Sequence, residues 1–368
     1  MQNILEYVKW RGDIPFTSLS FCEADYLVFS LLSYMPLDGI VPSAFRPELT
    51  VGKAVEALYT VLSENKDASI MDYEQNLLLL RRLADSPRFS ELYISGFSEI
   101  SDKEAQEQFA AVSFTVPDPK SPDGYSLVVA YRGTDSTLIG WKENLNMAFS
   151  VAIPSQIDAV KYLESAADAF PVGNLYTCGH SKGGNLAVYA AAFCKKSAQE
   201  RIAAVRSLDG PGFLPEVIER EGFRAVLDRT QTVVPQSSVV GILLEHAEEF
   251  TVVRSYAVAA PYQHDAYTWM IDRCGYVTVE SMTKSARYLD ETLSRWVASM
   301  SSDMREKLIN GLFGIMEQTG AETIHELVDG KNVIRMLRAL RKIDPETAAV
   351  MAKAMTLLRT SGSVKNNR

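Results

Sequence analysis

Asn174-Leu-Tyr-Thr-Cys-Gly-His-Ser-Lys-Gly-Gly-Asn-Leu-Ala187 is the stretch on which the reading of this 368-residue chain turns. Leu175 to Cys178 are an apolar run suited to a buried strand, Gly179-His180-Ser181-Lys182-Gly183 fit G-x-S-x-G, and residues 184–193 continue as an Ala-rich helix. Strand, sharp turn and helix in that order are the context of a nucleophile elbow, whose strained turn lifts a serine hydroxyl to the top of a sheet. Glycines flank the serine because strand and helix approach too closely there for a Cβ. The following helix aims its N-terminal N–H groups at negative charge forming beside Ser181. Ser181 is therefore the candidate nucleophile; the plainer reading is a small-residue turn with a bystander serine.

Outward from the elbow, the pattern is strand-like before it and alternating after it. Residues 93–100, 108–116 and 125–131 read as strands, the last two joined by the turn-rich Pro117-Asp-Pro-Lys-Ser-Pro-Asp-Gly124 as a hairpin. Downstream come a strand at 203–208, a short helix at 215–220 and strands at 230–234 and 251–258; a helix at 158–169 precedes the elbow. Such alternation implies a mainly parallel sheet covered on both faces, entered through antiparallel strands. The fold class is α/β, with helical regions at both ends. Residues 1–90 read as a helical segment packed on the core (helices at 4–10, 23–34, 54–62 and 73–83), 91–280 as the core, 281–360 as a C-terminal helical region (282–300, 303–318, 322–342 and 345–359), and 361–368 as a disordered tail.

Composition narrows the function classes. A net charge of −9 argues against a nucleic-acid-binding surface over most of the chain. Cys22, Cys178, Cys194 and Cys274 lie in apolar runs without C-x-x-C spacing, so neither a zinc site nor a disulfide framework is signalled, and a reduced, cytoplasmic compartment is the simpler reading. The first twelve residues lack the pattern of a signal peptide, and no segment approaches 18 uninterrupted apolar residues. From Lys331 onward nine Lys or Arg face only Asp344 and Glu346. The amphipathic Val333-Ile-Arg-Met-Leu-Arg-Ala-Leu-Arg-Lys342 is either a helix packed on the body with a solvated basic face or a peripheral contact for an anionic membrane.

A serine hydroxyl needs a base and donors for an oxyanion. Of the four histidines, His180 sits within the elbow and reads as structural, pointing away from the serine's face; His325 reads as a helix-surface or packing residue. His264, in Ala259-Ala-Pro-Tyr-Gln-His-Asp-Ala-Tyr-Thr-Trp269, follows the last strand, where an elbow hydrolase delivers its base in the order serine, acid, histidine. His246, near Glu245 and Glu248, is the alternative. Asp209 in Ser207-Leu-Asp-Gly-Pro-Gly-Phe213 ends a strand at the sheet edge that presents Ser181, although Asp before Gly-Pro is equally a turn former. Asp228, Glu245 and Asp265 remain as other acids. In Val128-Val-Ala-Tyr-Arg-Gly-Thr-Asp135 the Thr134 backbone N–H suits an oxyanion hole together with that of Lys182, whose side chain reads as solvated. Arg132 and Asp135 read as fixing this loop, with Trp141 packed beneath it.

These residues carry a family resemblance. Arg132-Gly-Thr134 with Trp141, followed by Gly179-His-Ser-Lys-Gly-Gly-Asn-Leu-Ala187, resembles the fungal-type (class 3) lipases of the α/β-hydrolase superfamily. Asn3-Ile-Leu-Glu-Tyr-Val-Lys-Trp-Arg-Gly12, Gly140-Trp-Lys-Glu143, Val234-Pro-Gln-Ser-Ser-Val-Val-Gly241 and Gln263-His-Asp265 look more closely like the bacterial Mbeg1-like (DUF2974) proteins, over roughly residues 1–280. The resemblance implies an α/β-hydrolase fold, Ser181 as nucleophile, His264 as base and Thr134 with Lys182 as oxyanion donors. It also carries a departure: where such lipases place an Asp in Asp-x-Val-Pro, this chain reads Gln231-Thr-Val-Val-Pro235, and neither Thr232 nor Ser237 nor Ser238 can be the acid. Asp209 then supplies the acid from the preceding strand, or the site is a dyad, or catalysis is weakened or lost. The expectation is a serine hydrolase of lipase or esterase type, cleaving a small-molecule or lipid carboxylic ester through an acyl-enzyme without cofactor or metal. A catalytically weak or inactive binding protein, and an acyltransferase or thioesterase using the same serine, are the alternatives.

Overall fold

The computed structural model describes residues 2–64, 72–135, 137–248, 250–327 and 329–363. Eight strands follow one another across a single sheet in chain order: β1 (Leu49–Thr50), β2 (Tyr93–Asp102), β3 (Glu107–Pro117), β4 (Tyr125–Tyr131), β5 (Asn174–His180), β6 (Ile202–Leu208), β7 (Thr230–Pro235) and β8 (Phe250–Val253). Pairing is antiparallel from β1 to β4 and parallel from β4 to β8. The architecture is α/β, with the antiparallel entry expected from the turn-rich 117–124 connection.

Strand order determines how the two faces are covered. Parallel strands that advance in one direction through right-handed crossovers send their helices to the same face. Accordingly α6 (Pro154–Ala169) and α7 (Lys182–Phe193), named in chain order after α1 (Ile4–Arg11), α2 (Glu23–Leu32), α3 (Val51–Glu64), α4 (Tyr73–Ala84) and α5 (Leu138–Asn146), share one core cluster with Phe109, Ala111, Leu127, Val129 and Tyr131. The other face would be bare, and α1 to α4 cover it. Ala110, Val112, Phe114, Val128 and Ala130 pack there with Ile4, Leu27, Leu58 and Leu80. Alternation with a period of two along β3 and β4 thus divides one apolar run between two cores. The N-terminal layer is pinned by a buried ion pair: Arg88 donates through Nε to Asp25 Oδ1 at 2.8 Å, and the Tyr7 hydroxyl donates to the same oxygen at 2.6 Å.

Beyond the sheet lie a short hairpin, β9 (Ile271–Asp272) and β10 (Gly275–Tyr276), and the helices α8 (Lys284–Ala298), α9 (Ser302–Glu317), α10 (Gly330–Leu340) and α11 (Pro345–Ser363). Ile309 and Phe313 of α9 pack on Leu138 of α5, while Leu308 joins Met300, Met304 and Ala354 in a separate cluster.

Four sequence readings are corrected here. The helix expected over 322–342 is a single turn, Ile324–Leu327, and then α10. The strand expected over 251–258 ends at Val253, because the chain then turns to bond with residues from 268 to 277; Arg254 N donates to Val277 O at 2.8 Å. Strand β1 lies inside the segment read as wholly helical. The last helix continues to Ser363, past the start of the expected tail, and 364–368 lie outside the described residues.

Candidate active site

Strand β5 and helix α7 meet at Ser181, whose backbone sits at φ 58° and ψ −131°. A non-glycine residue there is strained and must be held by its surroundings. Ser181 N donates to Leu208 O at 2.8 Å, and Gly184 N donates to Ser181 O at 2.9 Å. The flanking glycines are steric requirements: a Cβ on Gly179 would lie 2.2 Å from the Gly183 backbone, and one on Gly183 would lie 2.1 Å from Tyr131 O. The next residue of the motif, Asn185, donates from Nδ2 to the carbonyls of Pro211 and Gly212, tying the elbow to the turn after β6.

That turn carries Asp209. Because His180 of β5 pairs with Leu208 of β6, Asp209 leaves the sheet at the edge where Ser181 stands. His264 arrives from the loop after β8, at the end of a short 3-10 turn. The three side chains form one chain of hydrogen bonds: His264 Nε2 lies 3.0 Å from Ser181 Oγ, and His264 Nδ1 lies 2.6 Å from Asp209 Oδ2. Asp209 is fully buried, and its other oxygen accepts from the Ser238 hydroxyl and from Gly241 N.

The remaining candidates lie apart from this chain. His246 bonds through Nδ1 to Glu248 at 2.9 Å, and Glu248 also accepts from Thr232. Asp265 accepts from Tyr267 N, and Asp228 pairs with Arg229. Glu245 pairs through its backbone with Phe213. His325 belongs to the turn Ile324–Leu327.

Two expectations about side chains fail. Lys182, read as solvated, is fully buried: its ammonium donates to Glu143 Oε2 at 2.8 Å and to Gln108 O at 2.5 Å. Burial lowers its pKa, and Glu143 opposes that shift. Trp141, expected beneath the loop, is 40% exposed on the wall of a cavity. Arg132 and Asp135 do fix the loop, Arg132 by an ion pair to Glu99 at 2.6 Å and Asp135 by accepting from Thr137 N at 2.7 Å.

His180, expected to be structural and to point away from the serine's face, lies against His264 and lines the same cavity as Ser181. The two rings are 4.6 Å apart and inclined by 30°, and His180 Nε2 is 2.9 Å from His264 O. A carbonyl only accepts, so Nε2 carries the proton and Nδ1 faces the Tyr34 hydroxyl at 3.1 Å. Burial first, and His264 second, push the His180 pKa down to about 3, which keeps this ring neutral beside its neighbour.

Ser181 opens onto a cavity of about 1080 Å³. Thr134 and Lys182 line it together with the serine, and the Thr134 hydroxyl is buried with no partner among the described residues. Much of the wall is apolar: Leu145 and Trp141 of α5, Leu214, Ile242, and Trp296 and Leu312 from the C-terminal helices. Among the described residues no group of three or more His, Cys, Asp or Glu side chains could hold a metal ion, and no helix is long and apolar enough to cross a membrane.

A family model described as Mbeg1-like matches residues 83–314, from the end of α4 to within α9. The chain belongs to the Mbeg1-like family. Among solved structures it is similar to one titled "Crystal structure of M37 lipase", at 12% identity and a TM-score of 0.37, with 90% of this chain and 98% of that chain covered. No curated protein matches it. The Mbeg1-like match takes in β2 to β8 and all three members of the Ser181–His264–Asp209 chain.

Several residues that shape this Mbeg1-like site escape sequence reasoning. Ser238 and Gly241 cradle Asp209, Glu143 neutralises Lys182, and Tyr34 reaches the elbow from the residues after α2. A signal lay beside the first pair: Gln231-Thr-Val-Val-Pro235, which lacks the Asp of the lipase pattern, runs directly into Gln236-Ser-Ser-Val-Val-Gly241. For Glu143 and Tyr34 the partners lie 39 and 146 residues away, beyond the reach of any local pattern.

Proposed function

We propose that this chain is a serine hydrolase of lipase or esterase type that cleaves a carboxylic ester through an acyl-enzyme on Ser181. The unbroken hydrogen-bond chain from Ser181 Oγ through His264 to the buried Asp209 carboxylate carries this reading. In the first half-reaction Ser181 Oγ attacks the ester carbonyl while His264 Nε2 takes its proton. Asp209 accepts from Nδ1–H, which fixes the ring and stabilises the imidazolium. The carbonyl electron pair moves onto oxygen, where the backbone N–H groups of Thr134 and Lys182 and the unpartnered Thr134 hydroxyl serve as donors. Collapse expels the alkoxide, which receives the proton from His264, and the alcohol departs. Water then repeats the sequence on the acyl-enzyme, releasing the acid and restoring Ser181.

The neutral His180 supports the same reading, since an uncharged ring against His264 adds no repulsion when the imidazolium forms. The apolar wall favours an acyl chain over a small polar acid. Four cysteines without a disulfide among the described residues support a cytoplasmic location. Labelling of the purified chain with a fluorophosphonate probe tests the assignment. Wild type is expected to label, and Ser181→Ala and His264→Ala are expected not to. Equal labelling of wild type and Ser181→Ala would sink the proposal.

A further inference from the structure

Among the described residues, one face of α10 is left uncovered. Ala339 turns inward and is 3% exposed, and Met336 packs against the cluster of Leu138, Ile309 and Phe313. At about 100° of rotation per residue, Val333, Ile334, Leu337 and Leu340 fall on a different sector of the helix. They are 38%, 52%, 55% and 44% exposed. A third sector, beside this aliphatic stripe, carries Lys331, Arg335, Arg338 and Lys342, and Arg341, just past the last helical residue, falls at the end of the stripe itself; all five are exposed. Packing on the body explains the first sector and solvation the third, but neither explains four large aliphatic side chains held in water along one stripe. An apolar stripe bordered by cations is the form of a helix that lies in the plane of a bilayer surface.

We propose that α10 docks on an anionic lipid bilayer and sets the cavity of Ser181 beside its ester substrates. The lipid-ester part of this proposal rests on the hydrolase reading above. Charge selects the occupant. The chain carries a net −9, whereas from Lys331 onward nine cations face two acids. Exposed charges farther away than a Debye length of about 8 Å are largely screened, so an approaching membrane senses the local cations more than the distant net charge. Position agrees. Thr137 and Thr323 form a bridge, and Leu138 N donates to Glu322 O at 2.9 Å, joining the residues before α10 to the start of α5. Helix α5 in turn lends Trp141 and Leu145, 40% and 37% exposed, to the cavity wall. The docking face and the cavity therefore share one structural support.

Sedimentation of the full chain with phosphatidylcholine vesicles, with and without phosphatidylglycerol, tests the inference. Partition is expected to be at least about tenfold stronger on the anionic vesicles and to weaken as salt is raised. The pairs Ile334→Glu with Leu337→Glu, and Arg338→Glu with Arg341→Glu, should each reduce that partition by about tenfold or more. Both should still label at Ser181 with fluorophosphonate, which shows that they fold. Equal or negligible sedimentation with the two vesicle types would overturn the proposal. So would variants that bind vesicles like wild type. Vesicle binding requires no catalysis and labelling requires no vesicle, so failure here is separable from failure of the hydrolase reading.

Discussion

Ser238 donates its hydroxyl to the Asp209 oxygen that His264 does not use, and Gly241 N donates to that same oxygen at 3.2 Å. The segment after β7 thus supplies donors to an acid carried by the end of β6. A buried carboxylate with several donors is held in one orientation. Ser238→Ala should therefore leave the fold intact and lower kcat/KM on a soluble ester by about ten- to a hundredfold, the range expected for losing a hydrogen bond to a charged group. Steady-state kinetics of the variant check this, and unchanged kcat/KM would remove Ser238 from the site.

The fully buried pair of Lys182 and Glu143 sits one residue from the nucleophile, and Glu143 also accepts from Gln108 N and Ser155 N. Glu143→Gln would leave a buried ammonium without a counter-charge. Removing one partner of such a pair costs about 3–5 kcal/mol. Urea denaturation should show a loss of that size. A loss below about 1 kcal/mol would mean that Lys182 reaches solvent.

How far the site was legible depended on the range of each contact. The turn at Ser181 is set by sterics within five residues, so its pattern was legible, whereas chain order pointed to His264 and left Asp209 as one of several acids. Lys182 was misread because a lysine after a serine carries no mark of the glutamate on α5 that neutralises it. Trp141 was placed beneath its loop because a tryptophan is usually packed; a cavity formed by helices from both ends of the chain leaves it half in the open. The sheet was legible through its period, whereas the break before α10 was not, because apolar spacing runs through Gly330 without interruption.

Asp265 yields a prediction with a definite sign. Burial, and next the nearby Asp72, raise its carboxyl from 3.8 to about 6. The native state then binds more protons than the unfolded state between those two values, so stability falls as pH rises through that window and the cost is complete above it. Asp265→Asn keeps an acceptor for Tyr267 N and cannot ionise. It should match wild type near pH 4 and exceed it by about 1–2 kcal/mol at pH 7.5. Urea melts at both pH values measure this, and a gain that is larger in acid would contradict the assignment.

The cavity wall gives the last test. Leu312 of α9 lies on that wall, packed beside Leu308 and Met304, and a larger side chain there would take up space that a long acyl chain needs. Each methylene moved from water into an apolar site is worth about 0.8 kcal/mol, so displacing two of them costs about tenfold in affinity. Leu312→Trp should raise KM for long-chain p-nitrophenyl esters by about that factor while kcat/KM on the acetate stays unchanged. If both esters lose activity together, the substitution has disturbed the elbow or the fold; if neither changes, the acyl chain lies elsewhere in the cavity, for which Leu214 and Ile242 are the next lining residues to vary.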